Sequence, residues 1–194
     1  MTFQKVLAFR TRERGTLDIT AEVARVVAAS GVRTGLCNLF LQHTSASLIL
    51  CENADPDVRV DLEMLLRRLA PDGDPAYVHD TEGPDDMAAH ARTVLTSNSL
   101  SIPVSDGRLM LGTWQGIYLY EHRTAAHERS VVVTVMGSAE RPTSQAAFLT
   151  TSRTESPALV AMVTRASRLN KRILLLSSAL SRGCVRPSAL AAAA

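Results

Sequence analysis

Cysteine is scarce in this chain of 194 residues, with only Cys37, Cys51 and Cys184, and none stands at a paired metal-ligand spacing. An odd count without pairing argues against a secreted disulfide framework. Cys37 and Cys51 sit in apolar, strand-like sequence and read as small buried hydrophobes. No apolar run approaches the length of a bilayer-spanning helix, and no charged stretch leads into an apolar one at the start. A cytoplasmic protein without stable membrane insertion is therefore expected. Tryptophan occurs once, as Trp114, and histidine five times. What is present, 46% hydrophobic and 21% charged residues, is the composition of an ordinary globular protein with one good core.

A surplus of positive charge is also missing where a nucleic-acid-binding fold would carry it. Residues 1–137 hold 13 basic and 17 acidic side chains, whereas residues 138–194 hold 8 basic and 2 acidic. An acidic domain argues against a basic groove, so no nucleic-acid partner is expected. The change of character near Gly137 marks a boundary: a domain over 1–138, then a basic extension over 139–194, read as disordered or loosely helical. Within the extension, Val160, Val163, Leu169, Ile173, Leu176 and Leu180 fall at roughly helical spacing between Pro157 and Gly183.

Inside the domain, the spacing predicts strands over Phe3 to Thr11, Leu36 to Gln42, Ala46 to Cys51, Leu100 to Val104, Leu109 to Leu111, Gly116 to Glu121 and Ser130 to Met136. One helix is expected after a Thr20 cap, with Val23, Val26 and Val27 on one face and Gly31 as its stop. A second starts near Asp55 with Pro56 at its first position and a buried stripe of Val58, Leu62, Leu65, Leu66 and Leu69. A third runs from Asp85 to about Thr96. The order is neither a regular βαβ repeat nor all β, so the fold class is α+β, with mixed or antiparallel sheets and a few helices in a single domain.

Three of the five histidines, His43, His79 and His90, stand beside hydroxyls or carboxylates. Asp86 and His90 are four apart, and on a helix they share a face. Oxygen and neutral ring nitrogen donate lone pairs at similar reach, so this pair is half of a divalent-metal site. The alternative is structural: Asp85 or Asp86 caps the helix, and His90 is a hydrogen-bonded core residue.

The stretch from Ser105 to Glu121 is the second informative block. Asp106-Gly107 is a hairpin signal. Trp114 and Gln115 suit stacking on and hydrogen bonding to a flat heterocycle; alternatively, Trp114 fills the core and Gln115 ties a bulge. Glu121 and Arg129 read either as a surface ion pair of little worth or as a carboxylate beside a phosphate-binding guanidinium.

In chain order, His43-Thr44-Ser45-Ala46-Ser47, Glu52-Asn53-Ala54-Asp55-Pro56, Asp61-Leu62, His79, Asp85-Asp86-Met87, His90, Gly107-Arg108-Leu109, Leu111-Gly112-Thr113-Trp114-Gln115-Gly116-Ile117 and Glu121 resemble the YjbQ family, an uncharacterised group with members described as secondary thiamine-phosphate synthases. The likeness covers about residues 3 to 137. It implies a homotrimer of α+β subunits and a side activity that joins hydroxymethylpyrimidine diphosphate to a thiazole phosphate with loss of pyrophosphate. The likeness carries over the polar motif residues as a set but not their individual roles; from side-chain chemistry, His43, Glu52, Asp86, His90 and Glu121 are the expected catalytic residues. Thr44, Ser45, Asn53, Trp114, Gln115 and Arg129 are expected to bind a small phosphorylated or heterocyclic ligand. His43, His79, His90, Asp85 and Asp86 would hold a divalent metal, magnesium or zinc. A metal-dependent hydrolase and a non-catalytic trimeric binding protein are the competing expectations.

Overall fold

The computed structural model describes residues 1–140. The extension beyond, with the helix expected between Pro157 and Gly183, lies outside the described residues. Eight strands and three helices follow in the order β1 (Thr2–Arg10), β2 (Gly15–Asp18), α1 (Thr20–Ser30), β3 (Thr34–Leu41), β4 (Ala46–Glu52), α2 (Asp57–Leu69), α3 (Asp86–Leu95), β5 (Ser99–Ser105), β6 (Arg108–Leu109), β7 (Gln115–Glu121) and β8 (Glu128–Ser138). The strands form a five-stranded sheet, β1-β8-β3-β5-β6, and a three-stranded sheet, β2-β7-β4. Every neighbouring pair is antiparallel. This is the expected α+β class.

One core joins the two sheets and α1. Alternation along β3 buries Cys37, Leu39 and Leu41, β8 adds Val131, Val133 and Val135, β4 and β7 add Leu48, Ile117 and Leu119, and α1 adds Val23, Val26 and Val27. Helix α1 ends at Gly31 in the left-handed conformation (φ 72°), as glycine permits. Its start departs from expectation: the Thr20 hydroxyl accepts the Ile117 N–H at 2.9 Å, and Asp18 Oδ1 accepts the Thr20 N–H at 2.9 Å. Thr20 thus ties the helix to β7 rather than capping it. Asp106 (φ 51°) and Gly107 (φ 73°) make the two positive-φ positions of the turn between β5 and β6.

The second helix lies differently from its periodicity. Only Leu66 is buried along α2, while Leu65 and Leu69 are 47% and 60% exposed. Strand β2 was not foreseen, since its residues neither alternate nor carry β-branched runs. It pairs with β7 from Gly15 opposite Glu121 to Asp18 opposite Tyr118.

Candidate functional site

Helix α3 begins where the chain turns through Gly83 and Pro84, with the Asp86 N–H donating to the Gly83 carbonyl at 3.2 Å. One turn on, His90 lies on the same face as Asp86, its Nε2 3.4 Å from Asp86 Oδ2. His79, from the loop before the helix, brings Nε2 to 2.8 Å from the same oxygen. Ligand atoms of His79, Asp86 and His90 all lie within 4.8 Å of one another, and the two rings are 5.4 Å apart. Among the described residues, these three side chains are the set that could hold a metal ion.

The surroundings orient the set. His90 Nδ1 lies 3.0 Å from the Thr44 carbonyl; a carbonyl only accepts, so Nδ1 carries the proton and the Nε2 lone pair of the neutral ring faces Asp86. Asp86 is 2% exposed, and its other oxygen, Oδ1, accepts from Arg123 Nη1. The same guanidinium donates through Nε to Asp85 Oδ2 at 3.2 Å and through Nη2 to the Glu82 carbonyl at 2.8 Å. Arg123 therefore clamps the loop and the first residue of α3 together. Sequence reasoning missed it. The signal was the unbalanced acidic pair Asp85-Asp86, which needs a counter-charge, although spacing does not say which cation provides it.

Two hollows flank the set. His90 lines one of about 470 Å³ together with His43, Thr44 and Asn98, and His79 lines another of about 380 Å³ with Tyr77, Asp80 and Pro84.

Other expected residues are engaged elsewhere. Asp85 stands apart from the metal-ligand set: its Oδ2 accepts the Thr124 N–H at 2.7 Å and the Thr124 hydroxyl at 2.9 Å. Burial pushes its carboxyl upward, but these bonds and Arg123 outweigh burial and leave it at about 2. Neither Asp85 nor Asp86 makes a side-chain cap on α3. His43 Nε2 accepts the Ser130 N–H at 2.8 Å, and burial followed by the charge of Arg129 lowers its pKa. Its neutral ring then has the proton on Nδ1 and no lone pair left for a metal or for base catalysis.

Glu121 and Arg129 are neither a surface pair nor an open phosphate clamp. They are 1% and 3% exposed, and Arg129 donates Nε to Oε2 at 2.7 Å and Nη2 to Oε1 at 2.5 Å. Thr11 Oγ1 and the Arg123 N–H complete the carboxylate at 2.9 and 3.0 Å. Burial pushes the Glu121 carboxyl up, but Arg129 and the other donors bring it below its ordinary range. With both partners enclosed, neither reaches a ligand. Ser45 is buried beside this pair, its carbonyl 3.5 Å from Arg129 Nη2.

Glu52, Asn53, Trp114 and Gln115 gather at the far end of the three-stranded sheet. Ala46 pairs with Glu121 and Glu52 with Gln115, and six residues of strand at about 3.3 Å each put roughly 20 Å between those ends. Asn53 there donates its N–H to the Trp114 carbonyl at 3.1 Å and Nδ2 to the Thr113 carbonyl at 3.2 Å. Gln115 Oε1 accepts the Gly112 N–H at 2.8 Å, so its side chain ties the turn. Trp114 is 64% exposed and fills no core. One chain does not bring this group to the histidines.

Ser47 and His122, both fully buried, are a further pair that spacing did not disclose: Ser47 Oγ lies 2.8 Å from His122 Nε2. Burial, then the charge of Arg92, holds the His122 pKa down at about 3. Such an enclosed pair offers no nucleophile to a substrate.

The fold and site define an antiparallel α+β domain that presents two imidazoles and a carboxylate between two hollows. Residues 5–138 match the family described as UPF0047 protein YjbQ-like, and the chain belongs to that family. It is 49% identical over 134 residues to UPF0047 protein sll1880 of Synechocystis, covering 69% of this chain and 91% of that protein. It is 44% identical over 138 residues to UPF0047 protein YjbQ of Escherichia coli O157:H7, covering 71% and 99%. Among solved structures, a YjbQ/UPF0047 protein from Clostridium acetobutylicum shares 35% identity with a TM-score of 0.61, covering 69% of this chain and 99% of its own. A conserved hypothetical protein from Thermus thermophilus shares 37% with a TM-score of 0.61, covering 68% and 99%. No described helix is long and apolar enough to cross a membrane.

Proposed function

We propose that this chain holds a divalent cation at His79, Asp86 and His90 and uses the site to act on small phosphorylated substrates. The reaction we assign is the joining of hydroxymethylpyrimidine diphosphate to a thiazole phosphate with release of pyrophosphate, the activity implied by the family likeness. The observation that carries this reading is the convergence of the three ligand atoms within 4.8 Å. The lone pair of His90 is aimed inward by the Thr44 carbonyl, and Asp86 is steadied by Arg123. Two imidazole nitrogens and one carboxylate oxygen suit zinc better than magnesium, which prefers an all-oxygen shell. A bound cation would supply Lewis acidity toward phosphate oxygens. The protein itself contributes a fixed His90 tautomer and a carboxylate steadied at Oδ1 by Arg123. The hollows on either side support a two-substrate reaction, since each has room for one reactant.

A hydrolase is the second reading, because the same histidine and carboxylate set occurs in zinc centres that activate water. Metal analysis of the purified chain, alongside assays of precursor coupling and phosphate-ester cleavage, separates the two. His90→Ala is expected to lose most bound metal and coupling while keeping its circular dichroism spectrum. Unchanged metal content in a folded His90→Ala protein would overturn the site. Metal-dependent ester cleavage without coupling would replace the transferase by the hydrolase.

A further inference from the structure

Helix α2 crosses beside β2 and β7 and leaves a hollow of about 760 Å³, within the range of about 300–1,000 Å³ usual for small-molecule sites. Its wall carries Arg59, Arg67 and Arg68 against one carboxylate, Glu63. That carboxylate is already engaged: it accepts from the Tyr120 hydroxyl at 2.6 Å and from Arg67 Nε at 2.9 Å. Behind it, Arg92 Nη1 stands 3.6 Å away and Arg14 Nε 4.0 Å away. Asp72 pairs with both of these rear arginines, at 3.2 and 2.7 Å. Two acids thus face five arginines in a domain whose charge is negative elsewhere. Arg68 makes no hydrogen bond or ion pair among the described residues, and the wholly buried Arg92 Nη1 has no hydrogen-bond partner there.

The remaining wall is apolar. Val60 and Met64 lie 65% and 40% exposed along the hollow, with the Tyr120 ring among the lining groups. Helical rise places Arg59 roughly 12 Å from Arg67, so one end of the hollow is richer in cations than the other. We propose that this hollow binds a small organic anion whose phosphate or carboxylate group meets Arg67 and Arg68 and whose apolar body lies along Val60 and Met64. Arg68, which makes no hydrogen bond or ion pair among the described residues, and Arg67, whose Nε alone is engaged by Glu63, leave guanidinium N–H groups that suit such a group, whose oxygens match the planar fork. The site does not share residues with the His79, Asp86 and His90 set.

Calorimetric titration of the full chain with phenyl phosphate, inorganic phosphate and benzyl alcohol tests the assignment. Phenyl phosphate is expected to bind saturably and more tightly than inorganic phosphate, and benzyl alcohol not at all. Arg68→Glu, on an exposed position, is expected to weaken phenyl phosphate by at least about tenfold. Val60→Asp is expected to weaken phenyl phosphate too, while His90→Ala leaves it unchanged. Absence of saturable binding, or equal affinity in Arg68→Glu and the unaltered chain, would overturn the proposal. Loss in His90→Ala alone would do the same, by moving phosphate recognition to the histidine cluster.

Discussion

The two faces of the three-stranded sheet are built from the same strands and do opposite things. Toward the larger sheet, β4 and β7 present Leu48, Ile117 and Leu119, all fully buried in one apolar core. Toward α2 and α3 they present Ser47 paired with His122, Tyr120 donating to Glu63, and His122 under the charge of Arg92, which itself stands 3.6 Å from Glu63. The first face stabilises by removing hydrocarbon from water. The second buries polar groups that must satisfy one another, and it leaves His122 Nδ1 and Arg92 Nη1 without hydrogen-bond partners among the described residues. Charge under the helices is what lets this side of the sheet hold a cation-rich hollow and a carboxylate-centred cluster on neighbouring helices. A dry layer could not.

Substitutions on the two faces sharpen the contrast. At the polar end of the inner face, Arg129→Ala leaves Glu121 enclosed and uncompensated, and is expected to cost about 3–5 kcal/mol in urea unfolding. Replacing both, Glu121→Leu with Arg129→Met, is expected to be less damaging than Arg129→Ala alone; the reverse order would show that the pair itself dominates. Leu119→Ala is expected to cost about 2–5 kcal/mol, whereas Tyr120→Phe, its neighbour on the other face, loses one hydrogen bond and about 1 kcal/mol. Equal losses would erase the distinction between the faces.

On the polar face, acidity acts through His122. His122 has its pKa depressed to about 3 in the folded chain, against about 6.5 unfolded. Below pH 6.5 the unfolded chain takes up a proton that the folded chain refuses, so stability falls with falling pH down to about 3. The slope from this residue is about 1.4 kcal/mol per pH unit. His122→Gln is expected to flatten that part of the stability profile, and an unaltered profile would contradict a buried neutral imidazole. The smallest effect belongs to Trp114→Phe, expected within about 0.5 kcal/mol because the ring is exposed. A large loss there would mean that the ring is covered in solution.

Local pattern carried far in some places and failed in others for identifiable reasons. Alternation in β3 and β8 and the glycine stop of α1 were legible, because backbone periodicity and positive φ are properties of short segments. Helix α2 was legible as a helix but not in its depth, since an apolar stripe does not state how much of it a neighbouring layer covers. The Asp86 and His90 pair followed from helical spacing, and His79 joined it through a loop whose path is not periodic. His43 looked equivalent until the Ser130 N–H was seen to occupy its lone pair. Arg123 was invisible because a counter-ion across 37 residues obeys no spacing rule.

The sequence by itself determined the α+β class, most strand and helix positions, the family, and which residue types could ligate or stack. Those follow from local conformational preference and from motifs held in order. Tertiary structure alone decided that Glu121 and Arg129 close on each other, that Trp114 faces outward, and that the expected polar residues divide between opposite ends of one sheet. Such outcomes depend on which atoms meet after folding, where burial and hydrogen-bond geometry select one partner among many of the same chemical type.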